Sequence, residues 1–494
     1  MELETDISNQ AQQPEPSLKE KTAKGLFWGG ISTFIQQFIG MVFGIVIARI
    51  LSPGDYGLIA MLAIFTAIAS TIMDSGFSIA LINRRTIDHK DYNAVFWFNI
   101  VFGIGLYIIL FFTAPFIADF FNQPVLKSLS RILFLNFVIA SAGIAHNAIL
   151  LKKIMAKQRG IIDIVSVLFS GAVGLTLALK GFAFWGLAIQ QITYMLITLL
   201  LRWYFSPWKP TFHFDFSPLK EMFGFSIKLF FTNLIMQITQ HFLSVIFGRI
   251  YRETETGYYA QGYKWGSLGT SIFANMFNSV AQPVLINAID DKERQKNIFR
   301  KLVRFGAFVS FPCLLCLASV GEEFILIFLG EKWFNSLPYL QLFCFWGSVS
   351  FLWYLYTNLL FTYNKSNIYM WVIIALSIFQ IVAVLSFHSF GIIAMVIVFI
   401  CCNFIGLFVW HYFVNKMIGL RLWNTVKDIL PYLISAIGCI VVSWLLTKGI
   451  DNIYVRFFLK TTITFALYAV IMWYSNSVIV KECYNFIKYK GTKI

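Results

Sequence analysis

The sequence predicts an all-α polytopic membrane protein of about 14 transmembrane helices, two pseudo-symmetric six-helix lobes followed by two C-terminal helices. Three observations carry this expectation. First, 58% of the 494 residues are hydrophobic and the mean hydropathy is +0.71. Second, charged residues make up 13%, about half the usual share, and lie between long apolar runs. Those runs are continuous rather than alternating, which excludes a β-barrel. Third, the chain resembles itself about 200 residues apart.

The apolar segments run approximately 25–50, 57–82, 93–118, 129–151, 161–179, 183–204, 225–250, 265–289, 303–329, 337–362, 368–387, 391–413, 429–447 and 457–480. Ahead of them, residues 1–20 are polar, contain Gln-Gln-Pro, and read as a disordered cytoplasmic tail without a cleavable signal peptide. The N-lobe is expected over 21–204 and the C-lobe over 225–413. Residues 205–224, with Ser206-Pro207-Trp208-Lys209-Pro210, form a cytoplasmic linker between them. Residues 414–494 hold the last two helices and a cytoplasmic tail.

The first two segments set the pattern. Thr33, Gln36, Gln37, Gly40 and Gly44 fall along one side of the first helix. On the second, Thr66, Ser70, Asp74 and Ser78 recur every fourth residue. Lipid offers such groups no hydrogen-bonding partner, so a polar stripe faces protein or water. Between the two helices runs Arg49-Ile50-Leu51-Ser52-Pro53-Gly54-Asp55-Tyr56-Gly57.

The seventh and eighth segments repeat this arrangement. Arg249-Ile250 precedes Gly257 as Arg49-Ile50 precedes Gly57, and Gln237, Ala260 and Ile272 echo Gln37, Ala60 and Ile72. Asn233, Gln237, Gln240, His241 and Ser244 stripe the later ascending helix. Ser267, Ser271, Asn275, Asn278 and Gln282 stripe the descending one. Four striped helices in two related pairs suggest two halves walling a hydrophilic cavity.

Orientation follows from the positive charges. With the N-terminus cytoplasmic, about 28 of the 39 lysines and arginines fall on the inner side. That places both termini inside and explains the net charge of +15 without nucleic acid. Six of the seven cysteines lie in apolar runs, and Cys313 with Cys316 reads as a pair of small packing residues rather than a metal or redox site. The six histidines are scattered. With no nucleotide-binding loop, metal constellation or nucleophile–base motif, a secondary transporter is the simplest reading.

Each cavity candidate has a purely structural alternative, since amides and hydroxyls also join helices through modest hydrogen bonds. Asp74, some 25 Å from the outer end of its helix, is a candidate H+ or Na+ coupling site or gate, or the structural partner of a cation such as Lys228. Arg49 and Arg249 could grip a diphosphate, seal an outer gate or snorkel to head groups. Lys24 and Lys228 sit at the inner ends of the same helices, where Lys228 could meet an entering phosphate.

The run from Arg49 to Gly57, together with Gly257-Tyr258-Tyr259-Ala260 and Leu329-Gly330-Glu331-Lys332-Trp333, resembles polysaccharide-export flippases. These are the Wzx group of the multidrug/oligosaccharidyl-lipid/polysaccharide exporter superfamily, including colanic-acid and teichuronic-acid exporters. The resemblance spans most of the chain from about Lys19. It implies a fold like that of MATE exporters and the lipid II flippase MurJ, with helices one, two, seven and eight lining the cavity. It also implies a function: flipping undecaprenyl-diphosphate-linked oligosaccharide across the bacterial inner membrane by alternating access, for lipopolysaccharide, capsule or exopolysaccharide. No enzymatic activity and no cofactor are implied. Polymerase and chain-length proteins of the same pathway are possible partners. Two other readings are a cation-coupled drug exporter of the same superfamily and a membrane-embedded glycosyltransferase or polymerase. The first expects cavity acids beyond Asp74 and the second a large outer loop.

Overall fold

The computed structural model describes residues 18–74, 81, 87–212, 215, 217–475 and 479, with backbone alone for 18–27, 72–74 and 217–232. The expected N-terminal tail lies outside these residues apart from Leu18 to Glu20, which open the first helix. Also outside are Ser78 and residues 480–494 of the expected C-terminal tail.

Helix α1 (Leu18–Ile50) stops because Ser52 precedes Pro53, whose ring disfavours helical geometry at the residue before it. Ser52 and Asp55 then cap α2 (Pro53–Asp74) reciprocally. The backbone N–H and hydroxyl of Ser52 donate to the Asp55 carboxylate at 2.8 and 2.6 Å, and the Asp55 N–H donates to the Ser52 hydroxyl at 3.3 Å. Helix α3 (His89–Phe121) ends on Asn122 in the left-handed conformation. A bent pair follows, α4 (Val125–Ser141 with Ile144–Lys152), broken by 47°. Helices α5 (Ala156–Leu179) and α6 (Phe184–Phe205) are joined by a tight turn through Gly181 at φ 81°. A buried hydrogen bond from Thr198 to Ser166, at 2.9 Å, fastens them together.

The later chain forms α7 (Ser217–Ile250), α8 (Glu253–Ile286) and α9 (Lys292–Ser319). A compact π and 3-10 stretch over Ile325–Leu329 and Glu331–Ser336 leads into α10 (Leu337–Thr362). Then come α11 (Ser366–Ser386), α12 (Ile392–Ile418), α13 (Leu422–Thr447) and α14 (Ile453–Tyr474). Ten of the described helices are long and apolar enough to cross a membrane, and the α4 pair makes an eleventh. The protein is therefore a multi-pass helical membrane protein. Helices α7, α8 and α10 are as long, but fall outside that set, so the expected total of fourteen is not established by length and hydropathy.

The chain divides into two compact units, Met1–Leu51 with Phe65–Leu234 and Ser52–Ile64 with Ile235–Ile494. Within the first, the stretch after α6 is strapped to the inner end of α3. The Trp208 indole donates to His89 at 2.9 Å, the Thr211 N–H donates to Asn93 at 2.9 Å, and the Trp97 indole donates to the Thr211 carbonyl at 2.8 Å. His146 stacks on Trp203 at 4.8 Å beneath it.

Within the second unit, α9 and α10 meet through fully buried Phe311 and Phe351, and α13 and α14 are fixed to α9 at both ends. Near the N-terminal end of α9, Asp428, 5% exposed, takes a two-pronged grip from Arg300 at 2.6 and 3.0 Å and a further bond from Arg304 at 2.7 Å. Just past the C-terminal end of α9, Glu323, 1% exposed, accepts from Lys460 at 2.9 Å, which also donates to the Ser319 carbonyl at 3.0 Å. Arg456 adds an ionic contact to Glu323 at 2.8 Å, too bent to count as a hydrogen bond. Removing Asp428 takes away the charge-assisted hydrogen bonds of two partly exposed arginines, worth about 1.5–3 kcal/mol. Asp428→Ala should therefore lower the melting temperature of the detergent-purified protein by several degrees, read by intrinsic fluorescence. An unchanged transition would mean that the clamp carries no stability.

Candidate functional site

The four striped helices present their polar groups unequally. On α1, Thr33, Gln37 and Gly40 are exposed. Gln36 is half-buried and its amide reaches the Tyr194 hydroxyl on α6 at 3.5 Å, a contact inside its own unit. On α2, Ser70 is exposed, while the side chain of Asp74 lies outside the described residues, as does that of Lys228 on α7. Asn233 is exposed, Gln237 and His241 are half-buried, and Ser244 is buried. Exposed Gln240 donates to the Tyr263 hydroxyl of α8 at 3.1 Å. On α8, Asn275 is exposed and Gln282 is half-buried. Asn278 is exposed and accepts from the Asn358 amide at 2.9 Å. Arg49 and Arg249 are both exposed in the last turns of α1 and α7.

A residue the sequence reading passed over joins this set. The eighth apolar segment is drawn from residue 265, yet α8 begins at Glu253, so Lys264 belongs to the helix. It stands about 17 Å along the helix from its outer end. Extending the α8 stripe back one turn from Ser267 would have reached it. Its ammonium lies over the rings of Trp265 at 5.4 Å and Tyr56 at 6.0 Å. Among the described residues it has no carboxylate partner.

The outer ends of the second unit meet unusually closely. The first turns of α2 and α8 touch backbone to backbone: a Cβ on Gly57 would collide with the Glu253 carbonyl, and one on Gly257 with the Pro53 carbonyl. These are the two glycines equivalent in the internal repeat. Tyr56 packs edge-on to the fully buried Trp333 at 5.3 Å. Beside it, burial pushes the Lys332 ammonium below its ordinary range, with Asp55 pulling it partly back.

The described residues form a multi-pass helical membrane protein with a close glycine crossing between α2 and α8. Residues 46–338 match the family described as polysaccharide biosynthesis protein, and the chain belongs to that family. It is 29% identical to the lipopolysaccharide biosynthesis protein WzxC of Escherichia coli K12, over 67% of this chain and 68% of that one. It is 26% identical to the teichuronic acid biosynthesis protein TuaB of Bacillus subtilis 168, over 66% and 68% respectively. The fold matches that of the lipid II flippase MurJ in an inward closed conformation, with a TM-score of 0.72, 15% identity, and coverage of 91% of this chain and 99% of MurJ. An outward-facing multidrug resistance MATE transporter superposes with a TM-score of 0.52, covering 84% and 96%. The protein is thus a polysaccharide-biosynthesis transporter rather than an enzyme.

The glycine crossing makes a direct prediction. Gly257→Ala should lower the melting temperature by several degrees, because overpacking at a rigid backbone contact costs about 1–3 kcal/mol. Gly40→Ala, with open space around the new methyl, should leave it within about a degree. Equal effects would remove the special status of the crossing.

Proposed function

We propose that the protein flips an undecaprenyl-diphosphate-linked oligosaccharide from the cytoplasmic to the periplasmic leaflet of the bacterial inner membrane, with both termini cytoplasmic. The observation that carries this reading is Lys264 at the head of the α8 stripe. A lysine held within a membrane helix costs about 3 kcal/mol on insertion scales and persists where it serves a partner. Here its protein neighbours are aromatic rings rather than a carboxylate. The cargo's diphosphate is an anion of the right kind to complete it. Amides and hydroxyls further along α7 and α8 suit the hydroxyl-rich glycan, while the isoprenoid remains in lipid. WzxC and TuaB, named for lipopolysaccharide and teichuronic acid biosynthesis, support a glycan cargo.

Alternating access is the matching mechanism. The contact at Gly57 and Gly257 acts as the outer seal, its bare backbone surfaces able to part and rejoin without repacking side chains. Arg49 and Arg249 are candidate gate residues or head-group anchors, and Asp74 is the candidate site for H+ or Na+ coupling. Polymerase and chain-length proteins of the pathway would receive the exported unit.

Deleting the gene should cause lipid-linked oligosaccharide to accumulate on the inner leaflet, and the wild-type gene should clear it. Lys264→Gln should cut export at least tenfold at normal abundance, measured by surface glycan and membrane immunoblot. Full export by this variant would remove the diphosphate role. Asp74→Asn should impair export more than abundance, whereas equal loss of both would indicate a structural role.

A further inference from the structure

Inside the second unit, α7, α8, α10, α11 and α12 line a half-open cavity of about 250 Å3. Its wall is aromatic on one side, where Trp346 and Trp353 meet edge to face at 6.3 Å with Tyr354 beside them. Amides form the other side. Gln380 is 5% exposed, and its amide nitrogen donates to the Phe399 carbonyl at 2.9 Å and to the Asn403 side-chain oxygen at 3.1 Å. That leaves the Gln380 side-chain oxygen and the Asn403 amide hydrogens without a protein partner among the described residues. Gln240, from the α7 stripe, forms the rim with its own oxygen likewise unpaired. The lining contains no ionisable acid, lysine, arginine or histidine.

We propose that this cavity binds a single neutral pyranose ring of the cargo glycan, a proposal that rests on the flippase reading above. The apolar C–H face of the ring would lie against Trp346, Trp353 and Tyr354. Its hydroxyls would complete the hydrogen bonding of Gln380, Asn403 and Gln240. Uncharged walls disfavour an ionic drug or a diphosphate. An isoprenoid chain would leave the amide groups of Gln380 and Asn403 unsatisfied. The volume falls below the roughly 300–1,000 Å3 of drug-sized sites, which suits one ring rather than an oligosaccharide. The second lobe would thereby read one sugar while the cavity-facing stripes carry the rest.

The test uses the full-length protein in lipid nanodiscs, with tryptophan fluorescence titrated by methyl β-glucoside, methyl β-galactoside and methyl α-mannoside. At least one should give a saturable change. Gln380→Leu, close in volume, should weaken it at least tenfold, as should Ser377→Trp, which fills the cavity; either variant with a native melting temperature suffices. Saturable binding of farnesol but of no sugar would overturn the proposal in favour of a lipid tail, and no response to any probe would make the cavity structural. In the deletion strain the two readings separate. If wild type clears the lipid-linked oligosaccharide and both variants clear it at the same rate, the sugar site is wrong and the flippase stands. If wild type itself clears nothing, the flippase reading falls and takes the sugar site with it.

Discussion

Hydrocarbon supplies no hydrogen-bond partner, and almost every feature of this chain answers to that constraint. Backbone groups are satisfied within helices, which is why the described residues form long helices joined by short turns. Polar side chains must then find protein, cargo or water. Some close on their own turn, as Thr33 does on the Gly29 carbonyl at 2.7 Å. Others join neighbouring helices, as Thr464 does with Ser443 at 2.8 Å. Those left over, Gln37, Asn275 and Lys264 among them, mark where something other than lipid is expected.

Charge obeys the same constraint with higher stakes. The buried carboxylates Asp428 and Glu323 are each surrounded by two cations and lie near opposite ends of α9, where helices α13 and α14 attach. Their arrangement fixes helices together, although the second carboxylate oxygen of Glu323 is buried without a hydrogen-bond partner among the described residues. Lys264 differs in kind, because its neighbours are π faces that attract a cation without neutralising it. A structural cation is best neutralised within the protein; a binding cation is best left able to accept another charge. That contrast separates scaffold from site more sharply than burial does.

The helical membrane class was legible in the sequence because it follows from long apolar runs, which survive folding unchanged. The pairing of Gly57 with Gly257 was visible as a repeat but not as a contact. Nothing in a glycine's sequence context says that another backbone will pass over it. Lys264 was missed because hydropathy drew α8 from residue 265, whereas hydrogen bonding carries the helix back to Glu253. The stretch 205–224 reads as a linker, and nothing local in it reveals that Trp208 and Thr211 tie its first part to His89 and Asn93, partners more than a hundred residues earlier. The clamps at Asp428 and Glu323 were equally hidden, since an ion pair between distant helices leaves no local pattern.

Lys264, which has no carboxylate partner among the described residues, stands beside neutral amides on α7 and α8, and that mixture bears on the transport proposed. A carrier must release what it binds, and a site dense in charge would hold a diphosphate too tightly for turnover. A single cation beside aromatic rings attracts the anion while leaving its departure inexpensive. Neutral hydrogen bonds to sugar exchange readily with water, so they can direct a glycan without trapping it. On this view the scarcity of charge along α7 and α8 is what a reversible passage for a large, mostly neutral head group requires.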